Sequence, residues 1–310
     1  MTGNELARQL LNDGHTVIGF DNFFASSIDA VQDIVNNKNF LFYEYDLNNV
    51  EQMSEISRLV GRIQQDYART IYINCAAVVH TEHFYEVEHT FTTNVVSMRS
   101  FLQQAISVHA DTYINCSTSE VYSMQSWNEC GGVKEDDFLL LATAEHSQRT
   151  SYAVGKLLTE FFMKDAVDKG LIKGCSIRFA NVYSNHERFA KHIIPHIIDS
   201  LSKTGEVILL ENSKKNMRSF LHNIDSCRAV LELMASTSAL DGTVYNVATD
   251  EEVSIIDIAE PIIKFEGYRA SDPERRILDT DKIRKRTNWK PVVSLSEGLD
   301  MCVQNLSKYR

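Results

Sequence analysis

Tyr152 and Lys156 stand four residues apart in RTSYAVGKLLTE, and on a helix that spacing sets a phenol and an ammonium on one face. To act as a base near neutral pH a phenol must lose its proton, and a neighbouring ammonium lowers its pKa. The lysine can also hold the ribose of a nicotinamide. The pattern is loose, since average residue usage gives a chain of this length roughly one such pair by chance. The segment INCSTSEVYS adds weight. Thr118, Ser119 and Glu120 follow an apolar strand directly, where side chains enter the crevice of a parallel sheet. Thr118 is placed to hydrogen-bond a substrate hydroxyl beside Tyr152, and Glu120 offers a carboxylate for a second proton transfer. A hydrophilic strand exit accounts for any one of the three, less easily for all in this order.

The elements that must carry these residues alternate. Helix-like NELARQLLND leads to the apolar run HTVIGFD, then to helix-like SSIDAVQDIVNN, strand-like FLFYEYD and helix-like VEQMSEISRLVGRIQ. Strand-like TIYINCAA, a long helix through FTTNVVSMRSFLQQAISV, strand-like TYINCST, the helix YAVGKLLTEFFMKDAV and strand-like GCSIRFANVY follow. Strands alternating with helices imply βαβ units and a parallel sheet, and near-continuous apolar strands imply helices on both faces. Beyond Tyr183 the alternation loosens. HIIPHIIDSLSK reads as a helix, VILLE as a strand, and SIIDIAEPIIKFEG and SEGLDMCVQNL as helices. The expected architecture is α/β, a Rossmann-like doubly wound parallel sheet with a smaller C-terminal substrate-binding lobe. Residues 1–183 with about 218–247 make the first unit, and 184–217 with 248–310 the second.

A dinucleotide fold opens with a strand, a glycine-rich turn and a helix. Here MTGNELARQLLNDGHTVIGFDN supplies that helix and the second strand, with Gly3 in the place of the last fingerprint glycine. Asp21 follows at about the 20-residue separation of a ribose-binding acid, which would favour NAD over NADP. An acid ending a strand at a turn is the equal alternative. The first strand of such a sheet lies in its middle, so without it the neighbouring strands are expected to be left unpaired. Either about ten to fifteen residues stand upstream, or the chain is a degraded paralogue. The undamaged remainder favours the former.

A net charge of −11 argues against nucleic acid or an anionic membrane as the main partner, while leaving a local basic pocket open. The six cysteines (Cys75, Cys116, Cys130, Cys175, Cys227 and Cys302) have neither CxxC nor zinc spacing and read as reduced thiols of a cytoplasmic protein. No signal peptide or long apolar run is present, so neither secretion nor a membrane span is indicated. His80 with His83, and His192 with His196, are spaced as pairs without a third ligand, and no metal is expected.

Together the motifs resemble the extended short-chain dehydrogenase/reductases of the nucleotide-sugar epimerase, dehydratase and decarboxylase type. STSEVY followed by the YAVGK helix carries the resemblance. RFANVYS is similar to R-x-x-N-V-Y-G, with Ser184 for glycine, and NMRSFLHNID to R-D-F-x-H-V-x-D. YNVATDEEVSIIDIA is similar to N-V-G…S-x-x-E-L, and DPERRILDTDKIRKRTNWKPVVSLSEGL to R-x-x-D-x-x-K…G-W-x-P…L-x-x-G-L. Each motif is loose; jointly they cover essentially the whole chain.

The resemblance implies NAD, held by Gly3, Asp21, Asn22, Asp46, Leu47, Ala76, Ala77, Asn94, Tyr152 and Lys156. Asp46 and Leu47 would lie near adenine, Ala76 and Ala77 along its far side. It also implies a nucleoside-diphosphate sugar touched by Asn181 and clamped at its phosphates or nucleoside by Arg218 and Arg276. Thr118, Ser119, Glu120, Tyr152 and Lys156 would be catalytic, through transient oxidation at sugar C4. Glu120 points to chemistry at C5, by a 4,6-dehydratase or a UDP-glucuronate decarboxylase, because a pure 4-epimerase needs no carboxylate there. Ser119 departs from the Asp that many dehydratases pair with this Glu. A 4-epimerase stays open, as does a non-catalytic sugar-nucleotide-binding protein. The family also pairs subunits through two long helices, here residues 91–108 and 152–167, which implies a homodimer.

Overall fold

In the computed structural model, which describes residues 1–124, 132–147, 149–187, 189, 191–259, 262–269 and 272–306, the chain opens with α1 (Thr2–Asn12). Its Leu6, Ala7, Leu10 and Leu11 form the buried stripe of an amphipathic helix. β1 (Val17–Asp21) and β2 (Phe40–Glu44) pair parallel. α2 (Val50–Ile63) starts at Asn49, whose side-chain oxygen accepts from the N–H groups of Glu51 and Gln52. β3 (Ile71–Asn74) leads to α3 (Val87–Phe91), a π-helical turn (Thr92–Ser97) and α4 (Met98–Ser107). β4 (Thr112–Thr118) is followed by α5 (Thr150–Asp168), β5 (Lys173–Phe179) and β6 (Asn181–Tyr183). The second half adds α6 (Ile193–Thr204), β7 (Glu206–Leu209), β8 (Met217–Arg218), β9 (Phe220–His222), α7 (Asn223–Ala235) and β10 (Asp241–Val247). It closes with β11 (Val253–Ser254), β12 (Ile262–Phe265), β13 (Arg275–Arg276), α8 (Asp281–Arg286) and α9 (Leu295–Leu306).

A parallel sheet runs in the order β10–β5–β4–β3. Every residue of β4 is buried, as a strand flanked on both edges and covered on both faces requires. One face packs through Ile114, Cys116 and Ile177 against Leu6, Leu233 and Trp289; the other through Tyr72 and Tyr113 against Ile56, Phe101 and Met163. A separate core around Tyr183, Ile197, Val207, Phe220 and Cys302 gathers α6, β7, β9 and α9.

Among the described residues no ladder joins β1 to β3. Every residue of both strands instead lines a cavity of about 1900 Å³. The unpaired strand edges expected from the sequence are therefore present, one on each side of it.

Two expected helices do not form. SSIDAVQDIVNN yields one 3₁₀ turn, Ile28–Val31, tied to α1 by Arg8, which donates to the Ala30 carbonyl (2.7 Å) and pairs with Asp33. In SIIDIAEPIIKFEG, Asp257–Ala259 is a short 3₁₀ turn and Ile262–Phe265 is a strand parallel to β7. Paired isoleucines and a phenylalanine favour a strand, and the proline in this sequence lacks the N–H a helix needs.

Candidate active site

The C-terminal end of β4 and the start of α5 bring Thr118, Glu120, Tyr152 and Lys156 to one wall of the cavity. Thr118 Oγ1 accepts from the Glu120 N–H at 3.2 Å, on the same wall as the Tyr152 phenol. The Tyr152 ring stacks on Phe84, with centroids 4.4 Å apart and planes 12° from parallel. Burial drives the phenol well above its usual range, against the opposing pull of Thr118. Lys156 does not offset this. Its Nζ donates to the Cys116 carbonyl at 2.9 Å, and burial lowers its own pKa. The expectation that the ammonium governs the phenol is thus corrected: desolvation does.

Glu120 has partners the sequence did not reveal. Arg276 Nη1 lies 2.6 Å and Arg149 Nη2 3.3 Å from the same carboxylate oxygen. Burial opposes the charge, but Arg276 and Arg149 outweigh it and hold the Glu120 carboxyl down at about 2. Arg276 was expected at the phosphates or nucleoside; here it pairs with the Glu120 carboxylate, and the pairing of β13 with β8 sets it beside Arg218. Arg218 pairs with Asp272 at 2.9 Å and donates to the carbonyls of Met217 and Glu274.

Behind these groups lies a buried ion pair. Arg178 Nε and Nη2 reach the two oxygens of Glu160 at 3.0 and 2.7 Å, with both side chains 5% exposed. Ser117, next to Thr118, donates to Glu160, and Arg178 Nη1 donates to the Tyr122 hydroxyl at 2.9 Å.

Gly3, Asp21, Asn22, Asp46, Leu47, Ala76, Ala77 and Asn181 all line the cavity. A Cβ at Gly3 would meet the Cys75 Cβ at 3.4 Å, about van der Waals contact. Asp21 Oδ1 accepts from the Phe23 N–H at 2.7 Å, so this acid ends the strand at a turn and also faces the cavity. Two residues are not among those lining it. Ser119 is buried in the turn Ser119–Tyr122. Asn94 is fully buried, accepting from the Val78 N–H (2.8 Å) and donating to its carbonyl (3.1 Å). It fixes the segment after β3, next to Ala76 and Ala77, and its amide is spent there.

Sequence reasoning passes over Arg149, although it stands three residues before Tyr152, and weighs His80 only as a metal ligand. Both line the cavity. His80 stacks on Phe189 with centroids 3.7 Å apart. Burial, with His192 and His83 adding, lowers its pKa to about 4. Among the described residues no group of three or more ligating side chains could hold a metal ion, and no helix is long and apolar enough to cross a membrane. Cys130 lies outside the described residues.

A family model described as "NAD dependent epimerase/dehydratase family" matches residues 1–248. The chain is 25% identical to UDP-glucuronic acid decarboxylase 1 of Danio rerio, over 99% of this chain and 70% of that one. It is 23% identical to dTDP-D-glucose 4,6-dehydratase of Mus musculus, over 91% and 78%. Among solved structures, UDP-glucuronic acid 4-epimerase from Bacillus cereus, in complex with UDP-glucuronic acid and NAD, shares the fold. Its TM-score is 0.85 at 22% identity, covering 100% of this chain and 96% of that one.

Proposed function

The chain belongs to the NAD dependent epimerase/dehydratase family, and from that premise we propose that it is a UDP-glucuronate decarboxylase, oxidising its sugar at C4 and breaking the bond to carbon at C5. The residues present suit a dinucleotide: Asp21 for a ribose, Gly3 at the start of α1, and Asp46, Leu47, Ala76 and Ala77 along one cavity. When bound, NAD supplies the hydride acceptor. Tyr152, beside Thr118, is assigned to take the C4 hydroxyl proton; because burial favours its neutral phenol, this role requires the bound cofactor and Lys156, which would orient the ribose, to shift it toward the phenolate. A ketone at C4 makes the C5 carboxylate a β-keto acid, which loses carbon dioxide and leaves an enolate that takes a proton at C5; return of the C4 hydride, with a proton from Tyr152, would then give the UDP-pentose.

The observation that carries this reading is the Glu120 carboxylate between Arg149 and Arg276. Loss of water from C6 needs an acid for the departing hydroxyl. Here the carboxyl is ionised and position 119 is a serine. Decarboxylation needs no such acid, and the guanidiniums of Arg149 and Arg276, paired with Glu120, put positive charge beside the place of a substrate carboxylate. Dehydration is the second reading, favoured by the same ionised Glu120 as a base toward the C5 proton. Asn181 and Arg218 are assigned to the sugar diphosphate.

Residues 1–183 with about 218–247 are taken as the NAD-binding unit, and 184–217 with 248–310 as the sugar-nucleotide lobe. Phe91, Val96, Val154, Leu158 and Phe161, exposed and apolar on the adjoining surfaces of the π-helical turn, α3 and α5, support a homodimer. Free thiols support a cytoplasmic setting.

The test is product analysis by NMR with NAD and, in turn, UDP-glucuronate, UDP-glucose and dTDP-glucose. A UDP-pentose from the uronate supports decarboxylation. A 4-keto-6-deoxy sugar from a hexose would establish dehydration instead, and UDP-galacturonate would establish epimerisation.

A further inference from the structure

Asn74 of β3 lies opposite Asn115 of β4, so Cys75 and Cys116 are the next pair along these parallel strands. Their sulfurs are 3.8 Å apart, and both residues line the cavity, Cys75 with part of its surface exposed. Neighbouring strands run about 4.8 Å apart, inside the roughly 4.4–6.8 Å between Cα atoms that a disulfide spans. Cys227, also in this core, is engaged elsewhere, its Sγ donating to the Thr2 carbonyl at 3.4 Å.

We propose that Cys75 and Cys116 form an oxidation site, taking a hydroperoxide as oxidant and closing to a disulfide that disarms the catalytic wall. The two thiols share a hydrogen bond in which either can donate, and this contact keeps the Cys75 thiol below its ordinary range while it and burial raise that of Cys116. Cys75, the more exposed of the two, is the nucleophile and buried Cys116 the resolving thiol. The Cys75 thiolate takes the terminal oxygen of the peroxide, the O–O bond breaks, and hydroxide or alkoxide leaves. The Cys116 sulfur then attacks the sulfenic sulfur, the S–S bond forms, and water departs with the Cys116 proton. The sulfurs must close by about 1.8 Å to reach the bonded length of about 2.05 Å. That movement acts on Lys156, whose acceptor is the Cys116 carbonyl, and on Ala76 and Ala77, which follow Cys75. Disulfides of this transient kind are the sort found in reducing compartments.

The test treats the whole protein with hydrogen peroxide, alkylates the remaining thiols and maps the digest. The expected result is an intact mass lower by about 2 Da, a Cys75–Cys116 cross-linked peptide, and reversal by dithiothreitol. Cys116→Ser should instead accumulate a dimedone adduct at Cys75, and Cys75→Ser should give neither product. Turnover of the oxidised wild type should fall about a hundredfold and return on reduction. Only this loss of turnover rests on the proposed function; the mass readout stands even if no sugar nucleotide is converted. Peroxide-treated protein with Cys75 still free, a Cys75–Cys227 link, or an oxidised form as active as the reduced one would each overturn the proposal.

Discussion

At the Glu120 carboxylate, two guanidiniums on one oxygen decide the protonation state. With its carboxyl held at about 2, the residue stays ionised through the whole working range of pH. The acid limb of the rate profile should therefore not belong to it. Glu120→Gln is expected to lower kcat about a hundredfold yet leave the acid limb where it was, read from kcat between pH 4 and 8. A limb that vanishes in the variant would show Glu120 titrating there. His80 makes the opposite kind of prediction. Its pKa falls from 6.5 to about 4 on folding, so stability is whole above pH 6.5 and is lost as pH drops toward 4. At pH 5 the loss is about 2 kcal/mol, and His80→Asn should flatten the urea-midpoint change between pH 7 and 5. Tyr152, Lys156, Thr118 and Glu120 were legible because a helical turn and a strand exit fix their neighbourhood locally. Arg276 was legible as a residue but not in its role, since what it touches depends on β13 finding β8.

Among elements, β4, α5 and β5 meet at the Arg178–Glu160 pair, which is bidentate and buried. Glu160→Gln leaves Arg178 largely uncompensated and should cost about 3–5 kcal/mol in urea unfolding. Replacing both by apolar residues, as in Glu160→Leu with Arg178→Met, should recover much of that. An additive double variant would mean the pair does not couple these elements. Most strands and helices followed from alternation and periodicity. The failures were informative: Ile28–Val31 shows an apolar periodicity overridden by Arg8 and local turns, and Ile262–Phe265 an apolar run that pairs with β7. Neither partner is visible from the segment itself.

For the whole molecule, the sequence foretold a parallel sheet with strand edges left open, and the structure adds that β1 and β3 line one cavity. Of the arginines on that cavity, Arg218 and Arg276 were expected, while Arg149 and the contact of Arg276 with Glu120 were not, because they depend on how α5's start, β8 and β13 meet. On the outside, Phe161 and Phe91 lie exposed on neighbouring helices. Phe161→Glu should convert a dimer to a monomer by light scattering; a wild type already monomeric at micromolar concentration would refute the pairing. The most direct test of the central claim is to run the protein with NAD and UDP-glucuronate in deuterium oxide and read the product by NMR. Decarboxylation through a C4 ketone predicts a UDP-pentose carrying solvent deuterium at C5 and its original hydrogen at C4. An unconverted uronate, or a hexuronate product with its carboxylate intact, would contradict it.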